Sequence, residues 1–199
     1  MNYELIKNQV LKNPFLAGQK GQMVIGNRVP RKYFTTKGKG ESDITVHAGS
    51  YHLALLDAGI ECYNIMTYSS IMPGCAEEVE RPSSYTHGSV METITAVAHA
   101  TKGEKATAGI IYGWLYDKET GEKYGGLVCE HNGSYSLEEI EDKLRASLNE
   151  LYINGFLEKY DLREITLLTE SFVPEKAYGT VLVAIGFVDY IYPILGMEA

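Results

Sequence analysis

The sequence has few cysteines, no long apolar run and no excess of basic charge. Its three cysteines, Cys62, Cys75 and Cys129, are odd in number and lack paired spacing, which excludes a disulfide framework. The histidines do not fall at zinc-ligand spacings, so no metal is expected. No apolar run could span a bilayer and the N-terminal residues contain no secretory segment, which predicts a cytoplasmic protein without membrane contact. The net charge of -8 argues against a nucleic-acid partner, which a basic face usually binds.

The composition is that of an ordinary globular protein. The chain has 199 residues, of which 45% are hydrophobic and 22% charged. Such a chain can bury a core of its own, and its length suits one large domain. We therefore expect a single domain over residues 1–199.

Most of the chain after residue 30 shows strand patterns. Residues 1–40 are interpreted as a short N-terminal helix or arm, a strand near 31–35 and a loop ending in Lys37-Gly38-Lys39-Gly40. Short turns separate three consecutive predicted strands at residues 89–101, 106–116 and 123–131, which predicts an antiparallel meander. The segment Ile71-Met72-Pro73-Gly74 is expected to break the sheet, because proline lacks the donor N–H and glycine favours a turn. Three further strands are predicted at residues 60–68, 162–172 and 178–190.

Two helices are predicted among these strands. Residues 50–58 have apolar residues at helical spacing and are followed by Gly59, a typical C-cap. Ser136 and Glu139 form a capping-box pattern that opens a second helix, expected to end near Gly155. Its apolar stripe indicates packing on a sheet. The pattern as a whole predicts an α+β fold of mostly antiparallel sheet in layers.

The pair Ser69-Ser70 follows a predicted strand and precedes Pro73, an arrangement that can hold a strained turn. If the Ser70 hydroxyl faces the Ser69 carbonyl, it can attack it in an N→O acyl shift that produces an ester. Elimination, tautomerisation and hydrolysis then yield a pyruvoyl group with loss of ammonia. The shift needs a donor for the oxyanion and a backbone held in attack geometry. Without further information, such a pair is usually an ordinary turn.

The residues around this pair resemble the processing region of pyruvoyl-dependent arginine decarboxylases. The likeness rests on Asp57-Ala58-Gly59-Ile60 and on residues 63–73, which read Tyr-Asn-Ile-Met-Thr-Tyr-Ser-Ser-Ile-Met-Pro. It extends over roughly residues 30–190. Supporting segments are Gly40-Glu41-Ser42-Asp43, His87-Gly88 with the strand after it, and Gly126-Leu127-Val128-Cys129-Glu130.

The resemblance implies an αββα sandwich, assembled as a trimer of cleaved protomers with active sites at subunit interfaces. Ser69 would end a small β chain, residues 1–69, and Ser70 would become the covalent pyruvoyl group that begins the α chain, residues 70–199. Asn64 matches an asparagine near the scissile bond, whose amide can donate to the oxyanion or orient the substrate. Taken alone, Asn64 could equally be a strand-end residue bonded to backbone.

Glu130 matches the family's proton donor. In the implied reaction the amine of L-arginine forms a Schiff base with the pyruvoyl ketone, and loss of CO2 pushes electrons into the imine and amide carbonyl. The resulting carbon is protonated to give agmatine, for which a carboxylic acid kept partly protonated by burial is suited. Each turnover consumes a proton, so the implied role is polyamine synthesis or acid tolerance. Taken alone, Glu130 could be a strand-end glutamate paired with a cation.

One position departs from the family pattern. The family's helix carries an aspartate that pairs with the substrate guanidinium, and His52 occupies that position here. A carboxylate matches a guanidinium in charge and in bidentate geometry, whereas a histidine does neither. Either another acid supplies the pairing, with Glu41, Asp43 and Asp57 as candidates, or the substrate is not arginine.

Three functions therefore remain open. The first is a self-processing arginine decarboxylase, and the second is the same chemistry on another amino acid. The third is an unprocessed relative that only binds a small molecule or serves as a trimer subunit. The presence of Ser69-Ser70, Asn64 and Glu130 favours an enzyme over a binding protein.

Overall fold

The computed structural model describes residues 22–198, which form two compact units. The smaller unit contains the antiparallel pair of β1 (Gln22–Ile25) and β11 (Ile194–Glu198). The larger unit, Pro30–Asp189, contains the other elements. The predicted N-terminal helix or arm lies outside the described residues. Within those residues, no helix is long and apolar enough to cross a membrane.

The larger unit has two sheets and two helices. A π-helical segment, Val46–Tyr51, leads directly into helix α1 (His52–Ala58), and helix α2 spans Leu137–Gly155. One sheet has five strands in the order β3-β6-β10-β2-β5, and the other has four in the order β4-β8-β7-β9. The strands are β2 (Val29–Ser42), β3 (Asn64–Thr67), β4 (Ile71–Pro73), β5 (Glu77–Glu78), β6 (Val90–Thr101), β7 (Ala106–Asp117), β8 (Lys123–Gly133), β9 (Tyr160–Phe172) and β10 (Tyr178–Ile191).

The alternation of side chains along the strands explains how these elements form layers. Successive residues of a strand point to opposite faces of the sheet. On β2, Phe34 packs against α1, whereas Tyr33 contacts the rings of Tyr112 and Trp114 in the other sheet. On β7, Ile111 packs against α2. The result is the predicted αββα sandwich, with one helical layer outside each sheet.

The predicted end of α1 and the predicted start of α2 are confirmed, whereas α1 begins at His52 and not at residue 50, because residues 46–51 are π-helical. Gly59 closes α1 in the left-handed conformation, with a φ of +67° that glycine adopts without strain. At the start of α2, the Ser136 hydroxyl oxygen accepts the Glu139 N–H at 3.1 Å, and the Glu139 carboxylate accepts the Ser136 N–H at 2.7 Å. The buried apolar residues of α2 are Ile140, Leu144 and Leu148.

The predicted three-strand meander is wrong in part. β7 and β8 do form an antiparallel hairpin, with Thr107 opposite Gly133. β6 instead lies in the other sheet, antiparallel to β10 and parallel to β3. The turn after β6 therefore carries the chain from one sheet to the other. The sequence did not reveal this because β7 is buried on both faces from Ala106 to Leu115, so its apolar pattern does not indicate which neighbour it pairs with.

Three local predictions also need correction. The expected loop at residues 37–40 is part of β2, because Gly38 and Gly40 serve close packing against α1. A Cβ on Gly40 would lie 2.6 Å from the backbone nitrogen of Ala54. The strand expected at 60–68 is shorter, Asn64–Thr67. Ile71–Pro73, expected to break the sheet, forms edge strand β4 beside β8, a position where proline is tolerated.

Candidate active site

Ser69 and Ser70 lie in the short link between β3 and β4, where the chain passes from the five-stranded to the four-stranded sheet. The Ile71 N–H donates to the Ser69 carbonyl at 2.9 Å, a hydrogen bond between residues two apart that is typical of a tight γ-turn. The Val128 N–H donates to the Ser70 carbonyl at 3.0 Å. Backbone hydrogen bonds therefore hold both carbonyls of the pair.

Glu130 on β8 faces the Ser70 side chain. The Ser70 hydroxyl lies 2.9 Å from one carboxylate oxygen of Glu130 and 3.1 Å from the other, and it donates to this carboxylate. Residue 130 is brought to residue 70 because β4 pairs with β8, with Ile71 opposite Leu127. Burial raises the pKa of Glu130, and the Ser70 hydrogen bond opposes part of that rise.

These residues open into a cleft of about 720 Å³. One wall is β8 and the β3–β4 link, and the facing wall is α2. The cleft residues of α2 are Ser147 and, three, four and seven positions after it, Glu150, Leu151 and Asn154, so they share one face of the helix. The Ser147 hydroxyl lies 2.8 Å from Nε2 of His131 and joins the two walls. The lining residues are Ser69, Ser70, Ile71, Val128, Cys129, Glu130, His131, Ser147, Glu150, Leu151 and Asn154.

Cys129 also lines the cleft. Burial, together with the neighbouring carboxylate of Glu130, raises the pKa of its thiol to about 11. The thiol is therefore protonated near neutral pH, which leaves it a poor nucleophile. The chemistry of the cleft centres on Ser70 and Glu130.

Asn64 does not line the Ser70 cleft in this chain. It begins β3, and its side-chain amide donates to the Gly88 carbonyl at 2.8 Å. The N–H that reaches the Ser69 carbonyl belongs instead to Ile71. A backbone donor of this kind has no signal in the sequence.

The residues considered for the substrate guanidinium also lie away from the cleft lining. His52 is exposed at the start of α1. Asp43 accepts the Ala177 N–H at 3.1 Å, and Glu41 accepts the Glu175 N–H at 2.7 Å.

Asp57, the remaining candidate, accepts the Lys39 N–H at 2.9 Å. Each of the three acids is thus bonded to backbone within its own chain. The sequence reading missed the polar face of α2 that does line the cleft, Ser147, Glu150 and Asn154. The signal available in the sequence was that these three polar residues recur at helical spacing beside the apolar stripe of α2.

The site geometry suits the formation of a pyruvoyl group from Ser70. The hydroxyl of Ser70 is bonded to a carboxylate, and the preceding carbonyl accepts a backbone N–H. Both contacts are features that an acyl shift at this bond requires.

Comparison with known proteins identifies a family that matches most of the chain. Residues 32–192 match the family model described as pyruvoyl-dependent arginine decarboxylase. A pyruvoyl-dependent arginine decarboxylase of Chlamydia trachomatis serovar L2 is 31% identical over 188 residues, covering 84% of this chain and 95% of its own length. One of Methanopyrus kandleri is 32% identical over 156 residues, covering 78% of this chain and 95% of its own length.

Proposed function

The chain belongs to the pyruvoyl-dependent arginine decarboxylase family, and on that premise we propose that it cleaves itself between Ser69 and Ser70 and then converts L-arginine to agmatine and CO2. Its class is that of a carbon–carbon lyase. The observation that carries the proposal is the hydrogen bond from the Ser70 hydroxyl to the Glu130 carboxylate.

The contacts around the scissile bond support self-cleavage. The Glu130 carboxylate is within reach to accept the hydroxyl proton as Ser70 attacks the Ser69 carbonyl. The Ile71 N–H, 2.9 Å from that carbonyl oxygen, stabilises the negative charge that develops on it. We assign this donor role to Ile71, and we retain for Asn64 the orientation of the substrate at the completed site.

Glu130 then acts as the proton donor in decarboxylation. The pyruvoyl group, once formed, supplies a ketone that condenses with the substrate amine and withdraws electrons from the bond to the carboxylate. Conversion removes the Ser70 hydroxyl, whose hydrogen bond lowers the pKa of Glu130, while burial continues to raise it. Glu130 therefore holds its proton more readily in the cleaved enzyme and delivers it to the substrate α-carbon.

The lining of the cleft also suits loss of a carboxylate. Among the described residues, the lining contains no lysine or arginine, and its ionisable side chains are those of Cys129, Glu130, His131 and Glu150. The apolar side chains of Ile71, Val128 and Leu151 line part of the cleft. A carboxylate placed against such a wall is poorly solvated, which favours its departure as neutral CO2.

We further propose that cleaved protomers assemble as a trimer. Met66 and Ile71, on the strands that flank the serine pair, are 52% and 57% exposed. Large apolar side chains exposed beside a site fit an interface between copies of the chain. Analytical ultracentrifugation of the purified protein would measure the assembly, and a monomer at micromolar concentration would contradict it.

Intact mass spectrometry tests the cleavage. The wild-type protein should give two chains, residues 1–69 and residues 70–199, the second lighter by one ammonia than its hydrolysed form. Ser70→Ala removes the nucleophile and should remain a single chain. Ser69→Ala is the matched control, because it keeps the attacking hydroxyl and should still cleave. Cleavage of Ser70→Ala would refute the mechanism.

A panel of amino acids tests the substrate. Agmatine as the dominant product would support arginine and reject the same chemistry on another amino acid. A different dominant product would favour that second function, which the histidine at position 52 suggests. A chain that stays whole and inert would favour a binding protein.

A further inference from the structure

The Ser70 cleft contains a second carboxylate that the proposed chemistry does not use. Glu130 and Glu150 line it together. Glu130 lies beside Ser70 at the reacting end, whereas Glu150 belongs to α2, which forms the facing wall. A substrate attached at Ser70 and extended across the cleft would therefore bring its far end toward Glu150.

Glu150 is available to a ligand. It is exposed, and among the described residues it takes part in no hydrogen bond or ion pair. The other candidate acids differ in this respect. Glu41, Asp43 and Asp57 each accept a backbone N–H and lie outside the cleft lining.

The end of α2 adds to the attraction for a cation. The carbonyl groups of the last helical turn carry the negative end of the helix dipole. This turn of α2 has no basic side chain to neutralise it. Asn154, which lines the cleft one turn after Glu150, offers an amide oxygen at the same place.

The position of this wall is fixed relative to the reacting atoms. Ser147, one turn before Glu150, is bonded at 2.8 Å to His131, and His131 directly follows Glu130 on β8. The side chain of Leu148, in the next position of α2, is buried in the core beneath. Packing therefore fixes α2 relative to β8, so the backbones that carry the two carboxylates keep their separation, as a site that selects a substrate by its length requires.

We propose that Glu150 is the specificity-determining residue that pairs with the guanidinium of arginine, an inference that rests on the proposed decarboxylase function. It performs in this chain the pairing that the histidine at position 52 cannot perform. A carboxylate and a guanidinium match in charge and can form two parallel hydrogen bonds. Arginine is thereby chosen over uncharged amino acids of similar shape.

Glu150→Gln tests this assignment, with Glu141→Gln as the matched control. Glu141 is on the same helix nine residues earlier, which places it about 180° around the helix axis from Glu150. Both variants lose one negative charge, but only Glu150→Gln loses it in the cleft. Intact mass spectrometry first establishes that both proteins cleave as the wild type does.

Steady-state kinetics with arginine then gives the result. In Glu150→Gln we expect KM for arginine to rise on the order of tenfold, as loss of a charge-assisted hydrogen bond predicts, with kcat little changed. Inhibition by citrulline, which has the shape of arginine without its charge, should be unaffected. Glu141→Gln should match the wild type throughout.

Two other outcomes would overturn the assignment of Glu150. One is a wild-type KM in Glu150→Gln, and the other is an equal rise in both variants, which would indicate a general effect of charge. In either case wild-type agmatine formation would still support the proposed function. Failure of the wild-type protein to form agmatine would instead refute the proposed function itself.

Discussion

Replacement of Glu130 by glutamine separates the two reactions proposed for this site. Glutamine has nearly the same shape, and its amide oxygen can still accept a hydrogen bond from the Ser70 hydroxyl, whose oxygen lies 2.9 Å from the Glu130 carboxylate oxygen. We therefore expect Glu130→Gln to cleave, although more slowly because the amide is a weaker base. Once cleaved, it has no proton to donate to the substrate.

The expected loss follows from that missing proton. A positioned general acid contributes a factor on the order of 10² to 10⁴, so kcat should fall by that amount, or about 3 to 5 kcal/mol of transition-state stabilisation. KM should change little, because the proposed role of Glu130 is to protonate rather than to bind. The loss should be largest at pH values below the pKa of Glu130, where the wild-type carboxyl is protonated, and burial raises that pKa.

The assay is agmatine formation by protein whose cleavage has been measured by intact mass, with rates expressed per cleaved chain. Glu130→Asp serves as a second variant, because it keeps the acid but shortens its reach by one methylene. It should fall between the wild type and Glu130→Gln. A wild-type kcat in fully cleaved Glu130→Gln would remove Glu130 from the role of proton donor.

Further predictions concern pH and folding. Because burial raises the pKa of Glu130, kcat should fall as the pH rises through that pKa, and Glu130→Gln should lack this alkaline limb. The folded state then binds more protons than the unfolded state between the two pKa values, so the free energy of unfolding should fall as the pH rises there. Urea unfolding of the uncleaved Ser70→Ala protein at several pH values would measure this. Ser136→Ala should lower the free energy of unfolding by about 1 kcal/mol, because it removes the cap of α2. Ser134→Ala, at an exposed position nearby, is the control. Equal stability of the two variants would contradict the capping role of Ser136.

Local features of the fold were predictable where the signal lies within a few residues. The capping box of α2 and the glycine that ends α1 need only the neighbouring chain. The assignment of β6 and β7 to different sheets depends on which buried faces meet, and a strand buried on both faces leaves this open. The sequence predicts a loop at Gly38 and Gly40, because helix α1, which these glycines contact, is distant from them in sequence.

The candidate site likewise contains some residues that the sequence predicts and others that it does not. The serine pair and Glu130 were selected by family resemblance, and the structure brings them within hydrogen-bonding distance across 60 positions of sequence. The Ile71 N–H could not be selected, since every residue except proline has such a donor. Glu150 was missed because a single exposed glutamate on a helix looks like any other until the opposite wall is known.

The order of the five-stranded sheet determines how the protein would behave after the proposed cut between Ser69 and Ser70. β2, α1 and β3 come before the serine pair, whereas β5, β6 and β10 come after it. β2 lies between β10 and β5, so each product of the cut holds strands of one shared sheet. Neither product can leave without breaking strand pairs inside the sheet.

The proposed cleavage would therefore change refolding from a reaction of one chain into a reaction between two. Before the cut, all strands belong to one chain and can find each other at any dilution. Afterwards, recovery from unfolding requires two separate chains to meet, and it becomes dependent on concentration. Where the two chains are dilute and rejoin slowly, the working life of the cleaved protein would be governed by its rate of unfolding rather than by an equilibrium.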